Sequence, residues 1–321
     1  MHHFIPIGIG AGLVSALLTA TVIQGSAIAL LLYLLAPIPI LVAALGWDHR
    51  AGLVGAVVGG LALAVALEPV SGLGFALASG LPAWWLAYLA LLGRPAPDGT
   101  TEWYPLGRLL AWIASVAALT FVAAAAVPDF DYALYQERVR EATAALFAAE
   151  PSLSGAEGVD PDALATTIAE LAPVFAAQGF TVILVLYVWL GAKIVQISGR
   201  LARPWPDIPS TLMPREAVFA FLGAVLVANL VGGFVGVFAA ALTGAFVMAF
   251  ALQGLAAIHD VSRGRPGRGF LLFGTYLLIL FSQGLILIAM LLFGIADSAF
   301  RLRRRWFSGG PPTIVRKPPK E

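Results

Sequence analysis

The sequence contains no cysteine, which excludes disulfides, thiol nucleophiles and thiolate metal sites. Charge is scarce too. Only 12% of the 321 residues are Asp, Glu, Lys or Arg, against roughly 25% in an average soluble domain. Residues 5–46, 217–258 and 269–296 carry none of the four. No GxxxxGK[ST] loop is present, so ATP hydrolysis by a P-loop is excluded. Gly8-Ile9-Gly10-Ala11-Gly12 resembles a dinucleotide loop only superficially, because it sits in an apolar run with no strand before it. There is no H-E-x-x-H motif. His2 and His3 are terminal, His49 lies between apolar runs, and His259 stands beside a lone Asp260, so no metal site is expected. No apolar run carries a charged residue at its centre, which ion- and proton-coupled pumps usually need. The expectation is a non-enzymatic protein with no cofactor, no metal and no nucleic-acid partner.

What the chain has in abundance is apolar length. Hydrophobic residues make up 60% of it, more than a water-soluble fold can hide. Runs at 6–24, 27–46, 51–67, 72–92, 106–127, 179–198, 216–233, 235–258 and 269–295 approach the ~20 residues that cross a bilayer as a helix. Lipid offers no partner to an open sheet edge, so these runs are expected to be helices. The first run has no Lys/Arg-rich start and outlasts a signal peptide, so it reads as a retained span. The fold class that follows is all-α: a polytopic transmembrane helical bundle of about eight to nine spans. Residues 1–127 form an N-terminal membrane half and 178–300 a C-terminal one. Residues 128–177 differ, with nine acidic residues against Arg138 and Arg140. Helical spacing at 132–149 and 161–177 suggests two amphipathic helices at a membrane surface, the second opened by Asp160-Pro161 as cap and first residue. Residues 301–321 are a basic, Pro-rich tail.

Charge placement predicts orientation. Arg50, Arg94, Arg108, Lys193, Arg200, Arg203, Arg215, Arg263, Arg265 and Arg268 should all face the cytoplasm. Nine spans with the N-terminus inside satisfy them and put the acidic insert outside. The tail then falls outside as well, unless the last run is a broken hairpin turning at Ser282-Gln283-Gly284 or one earlier pair of spans is miscounted. A bacterial inner-membrane protein with a cytoplasmic tail is the favoured arrangement. Arg263, Arg265 and Arg268, with Arg301, Arg303, Arg304 and Arg305, suit anionic lipid headgroups, or act only as topology signals.

Three features could carry function. Pro37 and Pro39 interrupt the second run and remove two backbone donors, which would leave the carbonyls of Tyr33 and Leu35 open beside a cavity. A bent, well-packed helix is an equal alternative. Asn229 and Gln253 are amides inside apolar runs, where they bond either a ligand or a neighbouring helix. Tyr33, Pro37, Pro39, Asn229 and Gln253 are therefore the candidate ligand-binding set. Gly8, Gly12, Ala16 and Ala20 form a small-residue stripe that permits close helix approach, by a partner subunit or by an internal neighbour. Asp260 or Asp297 could pair with Arg263 or Arg301.

Leu35-Ala36-Pro37-Ile38-Pro39-Ile40-Leu41 through Gly46-Trp47-Asp48-His49-Arg50-Ala51-Gly52 resembles the second-to-third span junction of the YybS-like family, a group of uncharacterised bacterial membrane proteins. Asn229, Leu252-Gln253-Gly254-Leu255-Ala256-Ala257-Ile258-His259 and Gly294-Ile295-Ala296-Asp297 with Arg301 resemble its C-terminal half. That family is in turn similar to the substrate-binding S components of energy-coupling-factor transporters. The resemblance implies a solute-binding or transport subunit. It also implies a partner transmembrane coupling subunit with ATPases, docked through small residues of the first span. S components have six spans, fewer than expected here. The alternative is a scaffold for envelope assembly or division, working through its acidic insert and basic tail.

Overall fold

The protein is described by a computed structural model covering residues 4–126, 132–149, 161–282 and 284–303. Helices form wherever the uncharged runs are long. In order they are α1 (Phe4–Ala20), α2 (Ala27–Leu34), α3 (Ile38–Gly46), α4 (His49–Ala66), α5 (Pro69–Phe75), α6 (Leu81–Leu91), α7 (Leu106–Ala126), α8 (Tyr132–Ala149), α9 (Pro161–Ile197), α10 (Arg215–Leu230), α11 (Gly233–Val261), α12 (Arg268–Phe281) and α13 (Leu285–Phe300). Among the described residues, seven segments are long and apolar enough to cross a membrane: Phe4–Gln24, Ala27–Gly46, His49–Ala66, Pro69–Leu91, Leu106–Ala125, Glu170–Ile197 and Gly233–Val261. Among the described residues the only strands are β1 (Gly93–Pro95) and β2 (Thr101–Trp103), a small antiparallel hairpin clipped by Arg94 Nε on Glu102 Oε2 at 2.8 Å. It occupies the stretch between the apolar runs 72–92 and 106–127.

The prolines of the second run do break it. Helix α2 ends at Leu34 and α3 restarts at Ile38, with Pro39 in its first turn, where a missing N–H costs nothing. The carbonyls expected to be open are not. Tyr33 O accepts from Ala36 N and Leu35 O from Ile38 N, each at 3.0 Å, because the break tightens into three-residue turns. A second irregularity lies beside it: residues Ala76–Gly80, between α5 and α6, form a π turn.

The acidic insert differs from two separate amphipathic helices. Helix α8 is one. The second, expected at 161–177, is the start of α9, which runs 37 residues unbroken into the membrane span. At 1.5 Å per residue α9 is about 55 Å long, against a hydrocarbon core of about 30 Å, so its first turns stand clear of the bundle. Residues 127–131 and 150–160 of the insert lie outside the described residues.

The basic segments gather at one end. Arg200 lies over the Trp47 ring at 4.5 Å, Arg203 Nη1 donates to Ala90 O at 3.1 Å, and a Cβ on Gly107 would strike Leu212 O. Helix α8 is at the other end, where Tyr132 and Tyr135 pack on Phe234 at the start of α11. The last apolar run is a hairpin, not one span. Helices α12 and α13 are 14 and 16 residues long, or about 21 and 24 Å. They turn at Gly284, whose φ of 94° suits glycine. Helix α13 then runs parallel to α11, since Gln253 bonds Gly294 O and Ser298 Oγ while Asp260, further along α11, meets Arg303 just past the end of α13. It delivers Arg303 to the basic end, which removes the sidedness conflict without a ninth full span.

Candidate functional site

Between α9 and α10, residues 198–214 form irregular backbone that dips into the bundle as far as Gln253 of α11. Irregular backbone at such depth must find its hydrogen bonds within the protein. Gln253, fully buried, accepts from Met213 N at 2.8 Å and from Ser298 Oγ at 3.0 Å, and donates to Gly294 O at 3.0 Å. Arg303 completes the work. Its Nη1 donates to Pro209 O at 2.8 Å and its Nη2 to Thr211 O at 2.6 Å. Its Nε bonds Asp297 Oδ2 at 2.7 Å, and Nη1 reaches Asp260 Oδ2 at 3.1 Å. Asp260 also holds Arg263, which pairs with Asp207. Asp297 thus pairs with Arg303, not with Arg263 or Arg301. A Cβ at Gly254 or Gly294 would collide with the partner backbone, so glycine allows α11 and α13 close enough to close this network. The cluster is a structural latch with every tooth engaged.

The five residues expected to share a ligand site do not converge. Gln253 belongs to the latch. Asn229 is exposed on α10 and bonds its own helix at Val225 O, 2.7 Å away. Pro39 lies in the first turn of α3, while Tyr33 and Pro37 line two adjoining cavities. The small stripe is already occupied. Gly8 and Gly12 face Ala51 and Gly55 of the parallel helix α4, and a Cβ on Gly12 would lie 2.5 Å from Gly55 O. Ala16 is buried and Ala20 half-buried, so the stripe serves an internal neighbour rather than an open docking face. Of the proposed headgroup cations, Arg263, Arg265, Arg268 and Arg301 are exposed, while Arg303, its side chain 10% exposed, is engaged in the latch. Arg304 and Arg305 lie outside the described residues.

Among the described residues, three of the cavities line up along the bundle. An outer cleft of about 530 Å³, at the end away from the basic loops, is lined by Thr19, Tyr33, Glu68, Ser71 and Ser79. An inner cleft of about 620 Å³ opens at the basic end among α7, α9, α11 and the dipping segment. Between them lies a void of only about 10 Å³, bounded by Pro37, Ala78, Ser79, Tyr187 and Val188. Ala78 and Ser79 are shared with the outer cleft and Val188 with the inner one. That waist holds one water at most, since a water needs about 10–15 Å³. It is also where both irregularities meet, the Pro37 break and the π turn.

The inner cleft is almost wholly apolar, walled by residues such as Leu109, Ile113, Val185 and Leu252. Its polar groups are few: Arg203, Thr211, and His259 with its Nε2 2.9 Å from the Tyr276 hydroxyl. Burial pushes the pKa of Arg203 below the usual guanidinium value. Sequence reading missed this cleft. Its lining comes from seven separate stretches, and no local pattern joins them.

A family model described as a predicted membrane protein, DUF2232, matches residues 13–298. This chain belongs to that family. The match spans both clefts, the waist and the latch residues up to Ser298. The comparisons with curated proteins and with solved structures each return no match. The chain is an integral membrane protein with several membrane-crossing helices.

Proposed function

We propose that the protein is a non-enzymatic carrier that passes a solute between its outer and inner clefts. The observation behind this reading is the closed waist, with a cleft on either side of it and lining residues shared with both. A carrier must open one side while the other stays shut. Its moving parts are therefore expected where helical hydrogen bonding is already interrupted, as at Pro37 and the π turn. The excess of Arg at the inner end makes that end cytoplasmic under the positive-inside rule, in a bacterial inner membrane. If partner ATPases energise the cycle, as in S components, their coupling subunit meets the bulky outward ridge of α1 at Ile9, Leu13 and Leu17, because α4 covers the small stripe.

The lack of native cysteine makes the test direct. Single cysteines replace Ser71 in the outer cleft, Ala192 in the inner cleft and Ser79 at the waist. Each is treated with an impermeant maleimide in right-side-out and in inverted vesicles. Ser71→Cys should label only from the outside, Ala192→Cys only from the inside, and Ser79→Cys slowly from both. A Ser79→Cys that labels from neither side, or clefts that label from the same side, overturns the carrier reading.

A further inference from the structure

We propose that the inner cleft binds an anionic membrane lipid with a phosphomonoester head, which enters sideways from the bilayer and sets that head on Arg203. This names the substrate class for the carrier reading and rests on that reading only for what happens after binding.

The mouth of the cleft decides the route of entry. Its rim includes Leu186 and Trp189 of α9, Ile208 of the dipping segment and Tyr276 of α12, all exposed on the flank of the bundle. Helix α12 has no buried residue, so the wall on that side is open to the membrane. A solute arriving from water would meet few polar partners inside, while a hydrocarbon chain meets apolar side chains along the whole depth.

Charge decides the head. The aspartates nearest the cleft are already engaged: Asp207 and Asp260 with Arg263, and Asp260 and Asp297 with Arg303. Arg203, the guanidinium of the cleft lining, has no carboxylate partner among the described residues, and neither has Lys193, whose Nζ donates to Gln196 Oε1 at 2.9 Å. Arg203 is half-buried in the cleft wall and makes one hydrogen bond, to Ala90 O. Lys193 lies 4.8 Å over the ring of Trp205, another lining residue. A guanidinium with free donors beside an apolar cavity fits a phosphate, which accepts charge-assisted bonds in the fork geometry of arginine.

The full chain, reconstituted in phosphatidylcholine nanodiscs, reports on the cleft through Trp189 and Trp205. The probes are phosphatidic acid and phosphatidylcholine with brominated chains, which quench tryptophan on contact. A Trp189→Phe/Trp205→Phe variant supplies the background from the other six of the eight tryptophans. Brominated phosphatidic acid should quench the cleft signal at about tenfold lower mole fraction than brominated phosphatidylcholine, the order of one charge-assisted hydrogen bond. Arg203→Gln should abolish that preference and Arg203→Lys should keep most of it. Ala256→Phe, which fills the cleft without touching the charge, should weaken quenching by both lipids. Equal quenching by the two lipids in the native chain overturns the proposal. So does a preference that survives Arg203→Gln, or displacement by water-soluble glycerol 3-phosphate, which would mean an anion site without a tail site. The readout is binding alone, so a failed labelling result at Ser79 would remove the carrier and leave the lipid site standing.

Discussion

Gln253 and Asn229 look alike in the sequence, each a single amide in an uncharged run, yet replacing them by leucine should have very different consequences. Gln253→Leu keeps the volume, so no cavity term enters. It removes the acceptor of Met213 N and of Ser298 Oγ and the donor to Gly294 O. Gly294 O keeps its place in the α13 hydrogen-bond ladder and Ser298 can turn to a backbone carbonyl. Met213 N, in irregular backbone, has no substitute. A buried donor left unpaired costs about 1–3 kcal/mol. Side-chain bonds between membrane helices average about 0.6 kcal/mol each. With one orphaned donor and two lost interhelical bonds, the expected destabilisation is about 2–4 kcal/mol. Asn229 bonds only its own helix and is exposed, so Asn229→Leu should fall within about 0.5 kcal/mol of the native protein. Equilibrium unfolding in mixed micelles of rising SDS content, followed by tryptophan fluorescence, measures both. Equal effects would refute the latch as the support of the dipping segment.

Two further outcomes follow from the same packing. Arg303→Gln leaves Asp297, 1% exposed, without its cation, a loss of about 3–5 kcal/mol; the same unfolding assay reads it, and adding Asp297→Asn should recover part of it. On α1, Gly12→Ala puts a methyl 2.5 Å from Gly55 O, whereas a Cβ on Gly10 meets nothing within 4 Å. Gly12→Ala should therefore lower the thermal midpoint in mild detergent, while Gly10→Ala should leave it level or raise it, by up to about 1 kcal/mol in helix propensity. A stabilising Gly12→Ala would show that the stripe is not packed against α4.

Parts of this arrangement were legible from particular residues. Helix breaks at Pro37 and at Gly284 are visible because proline and glycine act through their own backbone. The hairpin was readable as a conflict: Arg301 to Arg305 could not share a side with the other arginines if 269–295 crossed once. Other features gave no local signal. The helical spacing of 161–177 looked like a surface helix because its polar face was read without the apolar continuation that α9 shares with it. Pro37 was noticed as a break, but the π turn it faces across the waist has an ordinary sequence, Ala-Leu-Ala-Ser-Gly.

Composition alone placed this protein in lipid and gave it helices, because the cost of burying charge or bare backbone in hydrocarbon is a property of each segment by itself. The gathering of Arg residues between those segments was also visible one loop at a time. Tertiary structure decided which amide is buried, which neighbour the glycines admit and where the clefts open. Those outcomes depend on pairs far apart in the chain: Gln253 with Met213, Gly12 with Gly55, Asp260 with Arg303. The energy of each exists only after two helices have met, and no single stretch of sequence records it.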